Sequence, residues 1–489
     1  MPLGFRFTRS AVRALLAGIT ATGLSINASA QVPYDETPAP APASNGASAP
    51  FDAQPNAVAQ PIVPTLTPLT MTPIASAAPA AQAAPSGPPV PPPFGGPLFE
   101  RTKLTGDWGG ARNDLRDAGY TIDFSNTQYY QGVASGGVNQ NFQYGGRNDL
   151  YLNVDGEKAG LWKGLFVTLH EESRYGNTIN QQTGALMPAN LMMLLPKPGG
   201  TVEGLTAVKV TQFLSENFLV FGGRLNLLDG FSQPLTGANQ NTGFMNTSFI
   251  FPPVVARTAP YSTYGAGFAV LHNFEPVLSV GILDTNNVPT TVGIKDSLFA
   301  NGATILGQLN LPTTFFNLPG HQGLIGTYST GAYTNLQPVP YFDPVTGLGI
   351  KTTTQSSSWS FNYNFDQAVW VSPTNPKKVY GLFGNIGVSD GNPNPIRGFY
   401  SVGLSGTSPF ERRTQDTFGV GYYYLDVTNA LKDLAPRLLP LKNEQGVELY
   451  YNYAVTPWFH VTPDIQVLDP FRQRVDNAFV AGVRAKIDF

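Results

Sequence analysis

Ser358-Trp359-Ser360-Phe361-Asn362-Tyr363-Asn364-Phe365-Asp366 alternates without a break. Its four aromatic residues fall on one side, while the Ser, Asn and Asp residues fall on the other. Side chains of an extended strand point alternately to its two faces, so this segment carries one apolar and one polar surface. Arg147 to Asp155 reads the same way, with Leu150, Leu152 and Val154 opposing Arg147, Asp149, Tyr151, Asn153 and Asp155. In the next such segment, Leu165, Val167 and Leu169 oppose Thr168, His170 and Glu172.

Outward from these segments the pattern recurs about 16 times. The candidates lie near 121–131, 148–155, 164–173, 205–213, 217–226, 263–272, 276–284, 302–311, 321–330, 357–366, 379–389, 398–406, 417–427, 446–455, 457–468 and 477–489. Each approaches the roughly 9–11 residues that cross a bilayer as a tilted strand. An even count of this size predicts an all-β fold, a transmembrane antiparallel barrel around a water-filled channel. In the final segment Phe479, Ala481, Val483, Ala485, Ile487 and Phe489 share one face, and Arg484, Lys486 and Asp488 share the other. An alternating last strand ending in Phe489 resembles the assembly signal of bacterial outer-membrane proteins.

Composition agrees with lipid as the solvent. Charged residues are 12% of 489, about half the roughly 25% usual for soluble domains. Gly (52), Phe (31) and Tyr (21) are abundant, as tight turns and aromatic girdles require. Residues 1–30 read as an export signal: Arg6, Arg9 and Arg13, an apolar stretch from Ala14 to Leu24, then Ala28-Ser29-Ala30 for cleavage. Removing that leader takes the net charge from −3 to −6, which offers nothing to nucleic acid. Residues 31–97 are rich in Ala and Pro and poor in apolar bulk, and read as a disordered linker. The barrel domain is expected over 98–489. A short helix is expected to precede its strands, from Asp107 as N-cap to Ala118, with Gly119 as the stop.

Parts for catalysis are missing. There are no cysteines, and His170, His272, His321 and His460 are scattered without metal spacing. No phosphate loop or nucleophile elbow is present, so neither an enzyme activity nor a cofactor or metal is expected. Alternation instead sends Arg147, Asp149, Glu172, Arg174, Lys209, Arg224 and Asp366 toward water, since an Arg or Lys facing lipid at mid-membrane costs roughly 2–4 kcal/mol. Their plain role is to hydrate a lumen or pair with one another. Arg224, between glycines in Phe221-Gly222-Gly223-Arg224-Leu225-Asn226 and on the face of Asn226, is singled out for solute contact.

Four ordered blocks carry a family resemblance. They are Leu104-Thr105-Gly106-Asp107-Trp108-Gly109-Gly110 with Arg112, Asp390-Gly391-Asn392-Pro393-Asn394-Pro395, Asp416 to Tyr424, and Glu448 to Tyr453 with Val455 to Trp458 and Thr462-Pro463-Asp464. Over 98–489 the chain resembles the carbohydrate-selective porins of the OprB type. The resemblance implies a 16-stranded outer-membrane barrel through which small sugars diffuse into the periplasm. A general diffusion porin and a non-conducting anchor are the alternatives. Expected partners are small sugars, outer-membrane lipid and the barrel-assembly machinery, with a homo-oligomer left open. Residues 31–97 lie outside the resemblance, and 177–204, with Met187, Met192 and Met193, shows no pattern.

Overall fold

The computed structural model describes residues 94–489, apart from 232, 234, 236–240, 295–296, 344–346 and 434–438. The export signal and most of the proline-rich stretch therefore lie outside the described residues. Sixteen strands close one barrel. The first nine are β1 (Tyr120–Ser135), β2 (Phe142–Asp155), β3 (Leu165–Gly176), β4 (Val202–Ser215), β5 (Phe218–Asn226), β6 (Ser262–His272), β7 (Glu275–Asp284), β8 (Ala303–Phe315) and β9 (Leu318–Ser329). Four short strands, β10 (Tyr333–Thr334), β11 (Val339–Asp343), β12 (Gly347–Lys351) and β13 (Thr354–Gln355), form two small hairpin sheets in one loop. The wall resumes with β14 (Ser358–Val371), β15 (Val379–Ser389), β16 (Ile396–Thr407), β17 (Thr417–Val427), β18 (Glu444–Thr456), β19 (Phe459–Asp469) and β20 (Ala478–Asp488). Each wall strand pairs antiparallel with its neighbours, and β20 pairs with β1 (Ser125 opposite Asp488, Tyr130 opposite Val483). Closure leaves no row of unpaired amides, the condition for a sheet to sit in hydrocarbon.

Burial is inverted relative to a soluble protein. In β14, Trp359 and Phe361 are 45% and 43% exposed, whereas Ser360, Asn362 and Asp366 are at most 2% exposed. The apolar row faces out and the polar row faces in. In β20, Phe479 and Val483 are exposed and Arg484 is buried, as alternation requires. All sixteen expected segments are strands of the wall.

Connections sort by end. At one end they are short, as at 216–217, 273–274, 316–317 and 457–458; at the other lie the long loops 177–201, 227–261, 285–302 and 330–357. The helix is shorter than its sequence suggests. It begins at Ala111, after Gly110 in a left-handed conformation with no side-chain cap, and ends at Asp117 (α1, Ala111–Asp117). Asp107 is thus no N-cap. Its carboxylate accepts from Gly109 N at 3.2 Å, because Gly106, Trp108, Gly109 and Gly110 all have positive φ and delay the helix by a turn. Gly119, at φ 92°, does terminate it. Arg112 on α1 donates to Gly106 O (2.8 Å) and to Phe489 O (3.0 Å), tying the segment to the seam between β1 and β20. Phe489 N in turn donates to Phe124 O, and the two rings lie 5.2 Å apart.

Candidate functional site: the barrel lumen

Loop 177–201 and the described residues of loop 227–261 do not stand out from the barrel. They fold inward and cover the inner wall of β15–β20. Met187, Met193, Phe244, Met245, Phe249 and Val254 are each at most 1% exposed, and pack with Phe383, Phe399, Tyr423, Tyr450 and Leu468 from the wall or with one another. Phe244 meets Tyr450 edge-on at 4.8 Å, and Phe249 meets Tyr423 edge-on at 5.8 Å, favourable aromatic geometries. Glycine makes this fit possible. A Cβ on Gly419 would lie 2.7 Å from the Phe244 ring, and one on Gly421 2.5 Å from the Phe249 ring.

Polar groups of the same wall hold the loop backbones. Glu444 accepts from Leu186 N and Met187 N, and Glu448 accepts from Met245 N (2.6 Å) and Asn246 N (2.9 Å). Arg484 donates to Gly243 O at 2.8 Å, Gln466 Nε2 to Ala189 O at 2.9 Å, and Asn394 Nδ2 to Val254 O at 2.8 Å. A buried carboxylate needs donors, and buried loop amides need acceptors, so each satisfies the other. The α2 turn (Thr247–Ile250) is capped by Asn246, whose side chain accepts from Ser248 N.

The opposite side of the lumen is ionic. Arg147 donates from Nε to both Asp149 oxygens (2.9 and 3.0 Å) and from Nη2 to Glu172. His170 Nδ1 lies 2.9 Å from Asp229, its Nε2 lies 3.3 Å from Asp149, and its ring stacks on Tyr151. Tyr261 OH donates to Glu172, and Asn241 Nδ2 donates to Asp149 at 3.1 Å, so loop 227–261 reaches this cluster too. Asp149, His170 and Glu172 present ligand atoms within 4.8 Å of one another, a grouping that spacing along the chain does not reveal. Arg147 already bridges both carboxylates there, so any metal held by the trio would have to displace it.

The other candidates divide by role. Arg174 binds the carbonyls of Met193, Lys197, Gly199 and Gly200 at 2.8–2.9 Å, fastening loop 177–201. Asp366 pairs with His321 at 2.9 Å on the inner wall. Lys209 has its ammonium 5.7 Å from the Phe221 ring, at a cavity lined also by Leu225, Asn226, Asp229, Phe231, Phe251, Ser279 and Gln308. Arg224 is placed differently from its expectation. It is paired with Val208 and Tyr264, on the far side of β5 from Phe221 and Leu225, which line that cavity. Its guanidinium donates to Leu205 O (2.7 Å), Thr291 O (2.6 Å) and Tyr264 OH (2.8 Å), so it clamps loop 285–302 instead of facing the lumen. The reason is local: Phe218–Asn226 has apolar residues on both faces, and polarity cannot set its phase.

Comparison with known proteins agrees with this architecture. The family model for the carbohydrate-selective porin, OprB family, matches residues 139–489. Porin B of Pseudomonas aeruginosa is 25% identical over 79% of this chain and 91% of its own length. The putative porin QuiX of Acinetobacter baylyi is 24% identical over 80% and 94%. The high-pH structure of Pseudomonas putida OprB superposes with a TM-score of 0.69 at 23% identity, covering 80% of this chain and 99% of that one, which establishes the shared fold. A closed sixteen-stranded wall with a polar interior, matched over most of its length by one family model, makes this chain an outer-membrane porin belonging to the OprB family of carbohydrate-selective porins.

Proposed function

We propose that small sugars cross this barrel passively along the β3–β9 side of the lumen, because the β15–β20 side is filled by the inward loops. The cavity beside Lys209 carries this reading. It joins apolar rings, on which the C–H face of a sugar can lie, with Ser279 and Gln308, which can exchange hydrogen bonds with hydroxyls. Arg147, Asp149, Glu172, Arg174 and Asp366 then serve as wall and anchors, keeping the lumen shaped and hydrated. Short connections mark the periplasmic end and long loops the outer end, as in other bacterial barrels. Phe489, at that periplasmic end, is the group offered to the barrel-assembly machinery. The family and the fold are those of a channel, not of an enzyme.

Liposome swelling with glucose, a disaccharide and an amino acid of glucose size tests the reading. Glucose should enter fastest. Rates set by size alone would make the protein a general diffusion porin, and no swelling with any solute would make it a plug or anchor.

A further inference from the structure

Loop 285–302, which joins β7 to β8, turns the opposite way from the two loops that enter the lumen. It first crosses the rim at the start of β6, where Val288 N donates to Ser262 O at 2.8 Å and Asn287 Oδ1 accepts from Ser262 N at 3.0 Å. From there it passes to the outside of the wall. Val208, Arg224 and Tyr264 are register partners on β4, β5 and β6, in phase with the outward-facing Val210 and Ala266. Arg224 donates along this outer face to Thr291 O (2.6 Å) and Gly293 O (3.2 Å), and Tyr264 OH donates to Gly293 O at 2.6 Å. Residues 291–293 therefore lie against the lipid side of the barrel, level with the Tyr264 ring.

An Arg on that face has a reason to gather carbonyls. A guanidinium beside hydrocarbon must find its acceptors in the protein. Arg224 takes three backbone oxygens, of Leu205, Thr291 and Gly293, and the Tyr264 hydroxyl, and is left only 4% exposed. The outermost groups of the loop are then apolar. Val292, 98% exposed, and Ile294, 69% exposed, flank the bound Gly293 carbonyl. The same face continues down the wall as exposed Val210, Ile282 and Ile305. Glu171, paired with Leu205 and opposite in phase to the inward His170 and Glu172, marks the other limit, since a charge on the lipid face belongs at the polar edge of the bilayer. The loop thus sits where the wall leaves hydrocarbon.

We propose that loop 285–302 is a membrane-docking flange: Val292 and Ile294 lie in the outer leaflet, at the boundary of acyl chains and headgroups, and Arg224 holds the loop there from behind. The partner is lipid, because the apolar tip is continuous with wall surface that already faces lipid. Tyr264 and Arg224 suit the same level, each with an apolar body and a polar end. Docking has a consequence for the channel. The connection between the strands that carry Ser279 and Gln308 is held on the membrane side of the rim and kept off the channel mouth.

The test places a single nitroxide label at Ile294→Cys, and separately at Val292→Cys, in the full barrel reconstituted in phosphatidylcholine vesicles. Power saturation compares collisions with oxygen, which concentrates in hydrocarbon, and with a water-soluble nickel chelate. Oxygen should dominate at both positions, with a ratio approaching that of a label at Ile305→Cys on the wall. Adding Arg224→Ala to Ile294→Cys should lower the ratio several-fold, toward its value in water. Dominance of nickel at both positions with Arg224 in place overturns the proposal, since the loop would stand in water. Low access to both reagents, with spin–spin broadening that vanishes when unlabelled barrel is mixed in, overturns it in favour of a second copy of the chain. A ratio unchanged by Arg224→Ala overturns the part given to the clamp.

Discussion

Seen from inside the barrel, the wall of β15–β20 and the wall of β2–β5 are built from different materials. On β15–β20, Phe383, Phe399, Tyr423 and Tyr450 meet Phe244 and Phe249 of an inward loop, and the carboxylates Glu444 and Glu448 cap loop amides. On β2–β4, Arg147, Asp149, His170 and Glu172 answer one another, and Lys209 stands beside open space. Packing excludes water from the first side; ion pairing keeps the second polar without filling it. The channel is therefore lateral, and the difference between the two sides is what positions it.

Breaking the ionic side should have the largest effect. Arg147→Met leaves Asp149 and Glu172 buried without their cation and should cost about 3–5 kcal/mol. The check is the temperature at which the folded barrel loses its compact gel mobility. Adding Asp149→Asn and Glu172→Gln to the same chain should restore much of the loss. An unchanged transition in Arg147→Met would mean that the charges are solvated and unpaired.

On the packed side, Phe249→Ala removes a ring seated on Gly421 and Tyr423, an excision worth about 3 kcal/mol in a close-packed core. Here the wall strands remain paired, so the loss should appear as a loosened loop. Single-channel conductance should rise and loop 227–261 should become cleavable by protease. Conductance identical to wild type would show that the loop is held by Glu448 and Arg484 alone.

The smallest effect is expected at Arg224. Arg224→Ala frees loop 285–302 from its clamp but removes nothing from the lumen. Glucose block of ion current should change by less than about twofold, since no hydrogen bond to solute is lost, while protease cleavage near 287–293 increases. A large fall in glucose block would return Arg224 to the channel surface.

These two sides were not equally legible in the sequence. Where one face of a strand is aromatic and the other is Asn and Ser, as in Ser358 to Asp366, period and phase are both readable, and so is the side that meets lipid. In Phe218–Asn226 both faces are apolar, because the cavity floor needs Phe221 and Leu225 inside and lipid needs Val220 outside; period survives there and phase does not. Residues 177–204 showed no pattern because the apolar residues of that loop answer a wall far along the chain. Met187, Met192 and Met193 together in a loop were the available sign of burial. The ionic cluster was half legible. Alternation put His170 and Glu172 on one face, but only folding brings Asp229 and Tyr261 to them.

The natural chain has no cysteine, so single thiols report local access without background. Gln308→Cys places one thiol at the cavity beside Lys209, and Gln466→Cys places another under loop 177–201 on the packed wall. In a reconstituted barrel, a small charged thiosulfonate should label Gln308→Cys within the mixing time and reduce its conductance stepwise, while Gln466→Cys stays unlabelled and conducts as before. Equal labelling and equal block at both positions would contradict the account, because the lumen would then be open on both sides.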